Sequence, residues 1–206
     1  MHLAEQHVDL PGIRDIPSAV ARIARQAPGL ADCPIDHVAL CVEARNLDRY
    51  VNQARQQMPG AQSSEYFVGE PDSGMRIAEV QDRDAGVHIV LAAPTGDRGQ
   101  LAEFLALTGA EGLQHVAFAV PDVGVAVAAL TAQGLRFIGG ADDPARAIVE
   151  VREGDSWLRQ AFTEPLFGCV FLEVIERQGI VEMRPENIRS LYALKEECGA
   201  KAAQPA

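Results

Sequence analysis

The sequence predicts an α+β fold in which two βαβββ units, residues 35–94 and 113–177, pair side by side around a shared cleft, with flanking N- and C-terminal helices. Three observations predict it. A short alternating segment occurs twice, IDHVALCV at 35–42 and LQHVAFAV at 113–120, each with a histidine at its third position. Each copy runs through a polar break into a stretch with helical apolar spacing. Each such stretch is followed by further alternating segments, separated by glycine, aspartate and proline turn residues.

A leading helix is expected over about 17–27, in an N-terminal extension of 34 residues. In the first unit Leu47, Tyr50, Val51, Ala54 and Met58 recur at steps of three and four, with Asn46 placed to cap the helix. SSEYFVGE, GMRIAEVQD and VHIVLAAP then read as strands. The segment GQLAEFLALTG reads as a helical connector. In the second unit Val123, Ala126, Val127 and Leu130 form the helical stripe, which Gly134 ends. LRFIGG, AIVEV, SWLRQAFTE and CVFLEVIER complete its strands. A trailing helix over about 185–198 lies in the C-terminal segment 178–206 and is a candidate lid.

Composition narrows the function classes. The chain has 206 residues, 48% hydrophobic and 23% charged, which is globular composition. Its net charge of −11 excludes a duplex-binding surface, which needs clustered Lys and Arg, so no nucleic-acid partner is expected. The longest apolar runs, roughly eight to ten residues, are too short to span a bilayer, and no membrane partner is expected. The start, MHLAEQHVDLPG, carries no secretory pattern. Cys33, Cys41, Cys169 and Cys198 form no CxxC pair and read as free thiols of a reducing compartment. A cytoplasmic protein is the expectation.

Strand phase brings out a candidate site. If alternation is strict, His37, Ala39 and Cys41 share one face, and His115, Ala117 and Ala119 the matching one, while Val38, Leu40, Val116 and Phe118 face the helices. Small residues beside each histidine leave a hollow in front of the sheet. Glu173 stands inside the otherwise apolar run CVFLEVI, where an ionised carboxylate is costly unless paired or metal-bound. A lone strand histidine is more often structural, and His88 is read here as structural or exposed; two in phase, with a stranded glutamate, point to a metal. Two imidazoles and one carboxylate make a facial site that suits Fe(II) and would also accept Zn(II), Mn(II), Co(II) or Ni(II).

At IDHVAL, GLQHVAF, LRQAFTEP and FLEVIERQG the sequence resembles the vicinal oxygen chelate superfamily, and within it the metal-bearing C-terminal half of 4-hydroxyphenylpyruvate dioxygenase. The resemblance implies His37, His115 and Glu173 as iron ligands, Gln114 and Gln160 as polar groups around the substrate, and Phe162 and Phe171 as aromatic walls. It also implies oxidative decarboxylation of a chelating 2-oxo acid by dioxygen, followed by hydroxylation.

Departures from the family pattern fall in the substrate pocket. Ile77, Ala92 and Ala102 stand where the family carries Ser, Asn and Gln, and EMRPENIRS replaces a Gly- and Phe-rich helix start. The expected function is therefore a non-haem Fe(II)-dependent dioxygenase acting on a small 2-oxo acid or aromatic acid, with dioxygen as co-substrate and an altered pocket. The alternatives are a metal-dependent isomerase, epimerase or lyase of the same superfamily, which commonly uses four protein ligands, and a metal-free protein that sequesters a ligand. Arg76 or Arg184, if turned inward, would hold a substrate carboxylate, although a solvated surface arginine is the favoured reading of each. The family's second, metal-free pair of units has no counterpart among the 34 residues before the first strand, and a homodimer would cover the sheet edges that pair protects.

Overall fold

A computed structural model describes residues 16–179 except 85, 142, 167 and 168. Helix α1 (Ile16–Gln26) leads into the first repeat: β1 (Ile35–Cys41), α2 (Leu47–Gln57), β2 (Gln62–Val68), β3 (Met75–Asp82) and β4 (Val87–Pro94). Helix α3 (Gln100–Thr108) connects to the second: β5 (Gly112–Ala119), α4 (Val123–Ala132), β6 (Val149–Glu153), β7 (Ser156–Phe162) and β8 (Phe171–Gln178). The strands form one curled eight-stranded sheet in the order β2-β3-β4-β1-β5-β8-β7-β6. The paired βαβββ arrangement is thus observed.

The repeat is visible in the pairing. Parallel β1·β4 in the first half corresponds to parallel β5·β8 in the second, and the outer strands of both halves are antiparallel. The halves meet in the antiparallel β1·β5 ladder at the centre of the sheet. Parallel neighbours need a crossover, which here runs through a helix and two outer strands in each half.

One face of the sheet carries the core. Val38, Leu40, Val116, Phe118, Leu172 and Val174 project into it from β1, β5 and β8, as strand phase requires. Helices α1, α2 and α4 lay Ile23, Leu47, Ala54 and Leu130 against them. Truncating a fully buried leucine here, such as Leu40, removes about 2–5 kcal/mol of stability. Asp122 caps α4 by accepting from the Val125 amide at 2.9 Å. Gly134 follows α4 at φ 90°, a backbone state that favours glycine.

Four sequence expectations are corrected or left outside the described residues. LRFIGG is not a strand, because only Phe137 bridges, to Thr163. Asn46 precedes α2 but makes no side-chain cap; its amide donates instead to Glu111 Oε1 at 2.9 Å. Helix α3 lies against the face that carries His37, where Leu101 and Phe104 pack on Cys41, Met75, Ile77 and Ala92. That half of the expected hollow is therefore largely filled. The trailing helix, Arg184 and Cys198 fall outside the described residues.

Strict alternation also fails, at two places that matter. Between Ile35 and His37 the β1·β5 ladder gains one residue on β1, and between Leu113 and His115 it gains one on β5. The extra residues are Asp36 and Gln114, each directly before a histidine. A bulge of this kind lets two consecutive side chains serve one face.

Candidate metal centre

Central strands deliver the donors. His37 comes from β1, His115 from its neighbour β5, and Glu173 from β8 on the far side of β5. His37 Nε2 lies 3.3 Å from His115 Nε2 and 3.3 Å from Glu173 Oε2, and His115 Nε2 lies 3.4 Å from the same oxygen. Ligand bonds of about 2.1 Å place donor atoms about 3.0 Å apart at octahedral angles and about 3.4 Å apart at tetrahedral angles. The nearly equilateral triangle fits a divalent cation. Glu173 is 1% exposed, and its Oε1 has no hydrogen-bond partner among the described residues, an arrangement that costs free energy unless a charge compensates it.

The histidines are oriented from behind. Asp36 Oδ1 accepts from His37 Nδ1 at 2.9 Å, and Gln114 Oε1 accepts from His115 Nδ1 at 3.1 Å. With Nδ1 carrying the proton in each ring, both Nε2 lone pairs point to the centre of the triangle. Arg177, four residues after Glu173 on the same face of β8, grips Asp36 with two hydrogen bonds at 2.9 and 3.0 Å.

Charge coupling in the cluster is strong. Burial favours the neutral ring at His37, but the Glu173 charge and the bond to Asp36 outweigh it and raise its pKa to about 9. Burial likewise acts to raise Glu173, yet the two histidines hold it at about 2. Asp36 stays well below the usual carboxylate range despite its burial, because His37 and Arg177 both donate to it.

The two phenylalanines lie beside His115. Phe171 stacks on His115 with ring centroids 4.8 Å apart, and Phe162 meets Phe171 edge-on at 6.0 Å. Gln160 shares the face of Leu158 and Phe162 on β7, is 1% exposed, and neither amide atom has a hydrogen-bond partner among the described residues. Gln114 is buried, and its contact is with His115 rather than with open cleft. Arg76 turns outward to Glu65 and Asp48 and does not enter the cleft.

Further groups stand near His37; the sequence marks His88 as structural or exposed and does not mark Glu79 or Tyr66. His88 is buried, its ring 5.3 Å from that of His37, and its Nε2 lies 3.3 Å from Glu79 Oε2, an ion-pair distance without hydrogen-bond alignment. Tyr66 donates to Glu79 at 2.5 Å. Strand spacing carries a signal for this pair, because Glu79 and His88 sit on adjacent strands of one hairpin. Asp36 and Arg177 had subtler signals, one next to a histidine and the other in phase with Glu173.

The two halves differ at one further position. Ala39 pairs with Val90 on β4, and its repeat counterpart Ala117 pairs with Glu173 on β8. Val90 therefore occupies, in the first half, the place that the carboxylate takes in the second. Three protein donors converge, and a fourth is missing from the symmetric position.

Comparison with known proteins agrees with this architecture. The chain is 26% identical over 180 residues to 4-hydroxyphenylpyruvate dioxygenase of Legionella pneumophila, covering 77% of the chain and 52% of that protein. It is 24% identical over 201 residues to Hemolysin VllY of Vibrio vulnificus, covering 87% and 56% respectively. The chain thus spans about half the length of the curated relatives it matches. Among solved structures, a mutant 4-hydroxymandelate synthase from Streptomyces coelicolor superposes with a TM-score of 0.71 at 25% identity, over 80% of this chain and 54% of that one. Methylmalonyl-CoA epimerase from Mycobacterium tuberculosis superposes at 0.51 with 25% identity, over 70% and 88%. Residues 36–149 match the family pattern of the Glyoxalase/Bleomycin resistance protein/Dioxygenase superfamily, and with the paired repeats around the donor triangle this places the chain in that superfamily.

Proposed function

We propose that the chain is a non-haem Fe(II)-dependent dioxygenase, similar to 4-hydroxyphenylpyruvate dioxygenase, acting on a small 2-oxo acid or aromatic acid. The observation that carries this reading is the triangle of His37, His115 and Glu173 with Val90 in the fourth place. Three ligands on one side leave adjacent positions for a chelating substrate and dioxygen, whereas a fourth protein ligand would take one of them. When bound, Fe(II) supplies the redox chemistry that activates dioxygen beside the coordinated acid.

The chain's own groups supply the rest. Glu173 gives the cation an anionic partner, and the two histidines leave the site with one positive charge to attract an acid. Phe162 and Phe171 form an apolar wall that flanks an aromatic or aliphatic tail and keeps water away. Gln160 offers both an N–H donor and a carbonyl acceptor to that tail. Ile77 and Ala92 face each other across β3 and β4 and pack with Met75 and Phe104, so these two positions offer no hydrogen bond to a phenol. A substrate less polar than 4-hydroxyphenylpyruvate at its far end fits better.

A second reading, a metal-dependent epimerase, isomerase or lyase, is favoured by the likeness to methylmalonyl-CoA epimerase. Oxygen uptake separates the two. Protein purified without chelators and reconstituted anaerobically with Fe(II) is mixed with a panel of 2-oxo acids in an oxygen electrode. Substrate-dependent uptake that disappears in Glu173→Gln supports the dioxygenase. Full turnover of a substrate under nitrogen rejects it in favour of the second reading.

A further inference from the structure

The donor triangle is symmetric in its distances but not in what stands behind it. His37 is backed by a carboxylate, Asp36, whereas His115 is backed by a neutral amide, Gln114. Both backing residues are the extra residue of a bulge in the β1·β5 ladder, so the repeat preserves the device and changes its charge. Arg177 adds a forked pair of bonds to Asp36 and nothing equivalent backs Gln114 among the hydrogen bonds of the described residues.

We infer that Asp36, locked by Arg177, is a positioning residue that makes His37 the anchoring ligand of the centre, leaving His115 the weaker donor of the two. This rests on the reading of the triangle as a metal site. A carboxylate accepting from Nδ1–H pushes electron density into the ring and strengthens the Nε2 donor; an amide carbonyl does so less. The same contact fixes the ring plane and the tautomer. Arg177 has two effects. Its planar fork holds Asp36 in one orientation, and its charge cancels that of Asp36, so the pair adds no net charge near the cation.

Geometry gives the pair a second task. Asp36 belongs to β1 and Arg177 to β8, which are separated by β5 in the sheet. The ion pair therefore spans β5 and ties the strand bearing Glu173 to the strand bearing His37. With side chains 15% and 26% exposed, the pair is shielded enough to be more than a surface contact. Losing it loosens one side of the triangle as well as weakening one donor.

Cobalt(II) alone is a sufficient probe. The full chain is titrated with Co(II) against a fluorescent chelator, and the visible absorption of the complex and the unfolding temperature of the metal-free protein are recorded alongside. The wild type is expected to bind one equivalent. Asp36→Asn weakens binding by about 10–100-fold and shifts the visible bands, while Gln114→Ala weakens it by a clearly smaller factor. Gln114→Glu, which gives His115 the partner that His37 has, binds at least threefold tighter.

Asp36→Asn within twofold of the wild type, or Gln114→Ala as damaging as Asp36→Asn, overturns the inference while leaving the metal site standing. Wild-type protein that binds no Co(II) overturns the metal site itself, and the inference with it. If Asp36→Asn does not fold, Gln114→Glu decides: tighter binding with altered bands supports unequal donors, and unchanged or weaker binding rejects them.

Discussion

The Tyr50 hydroxyl donates to Glu111 Oε2 at 2.6 Å, and through this bond the start of α2 is fastened to the residue before β5. Glu111 also accepts from the Glu43 amide at 2.8 Å and from the Asn46 side chain. One carboxylate thus does for the entry to α2 what a local cap would do, from a position more than sixty residues away.

Replacing Glu111 with alanine removes the acceptor of all three bonds and is expected to cost about 1–3 kcal/mol, read as a fall of several degrees in the unfolding temperature. The effect depends on pH with a definite sign. Burial acts to raise the Glu111 pKa, but the donors from Tyr50, Asn46 and Glu43 outweigh it and lower it below its ordinary value. The stabilisation is present above that ordinary value, near pH 4.5, and is lost as the pH falls through the depressed one. The gap between wild type and Glu111→Ala should therefore narrow in acid; a constant gap from pH 7 to pH 3 contradicts this account.

Cys41 is fully buried, and its thiol lies 3.7 Å from the Leu101 carbonyl. Burial, with the Glu111 charge adding to it, pushes the pKa up to about 12. In native protein at pH 8 an aromatic disulfide reagent should modify the partly exposed Cys33 and Cys169 and leave Cys41 intact until the chain unfolds. The raised pKa also contributes stability below pH 9 that is lost as the pH climbs towards 12. Peptide mapping that finds Cys41 labelled as fast as Cys33 would remove the basis for both statements.

Val90→Glu places a carboxylate at the counterpart of Glu173. With four protein donors the site should hold Zn(II) or Co(II) at least tenfold more tightly while losing substrate-dependent oxygen uptake, since an open position is consumed. Equal metal affinity in the variant, measured by chelator competition, shows that the pseudo-symmetric position does not reach the cation.

Gln160 presents the opposite trade. A buried amide with neither atom paired destabilises the fold, so Gln160→Leu is expected to raise the unfolding temperature of the metal-free protein by a few degrees, for a gain of about 1–3 kcal/mol. If the amide serves the substrate, the same change raises KM. Lower stability together with unchanged KM counts against a ligand-facing role.

Much of the site was legible before the structure, and the reason is the repeat. One histidine on an alternating strand carries little information, but His37 and His115 in equal phase, with Glu173 in an apolar run, constrain one another. The aromatic positions Phe162 and Phe171 came from the family resemblance rather than from alternation alone. What stayed hidden depends on the partner strand rather than on the strand itself. The bulges at Asp36 and Gln114 exist only in the β1·β5 register, and strict alternation, which turns the neighbour of each histidine to the opposite face, does not reveal them. Helix α3 has an apolar stripe, but a stripe does not say which face of a sheet it will cover, and the hollow expected before His37 is closed by Leu101 and Phe104. The capping role expected of Asn46 failed because its backbone is already helical, at φ −103° and ψ −14°, and its side-chain amide is turned to Glu111, remote in sequence.

The central β1·β5 ladder has a consequence for the order in which the protein is made. When residues 35–94 have left the ribosome, β1 can already pair with β4, but its other side stays open until residues 112–119 emerge. His37 then gains His115, 78 residues further on, and meets Glu173 only after most of the second half has been synthesised. A nascent chain offers a passing ion one imidazole, then two, and the full set last. A metal ion that needs all three donors would therefore be taken up at the end of maturation, and a chain truncated before β8 should emerge without one.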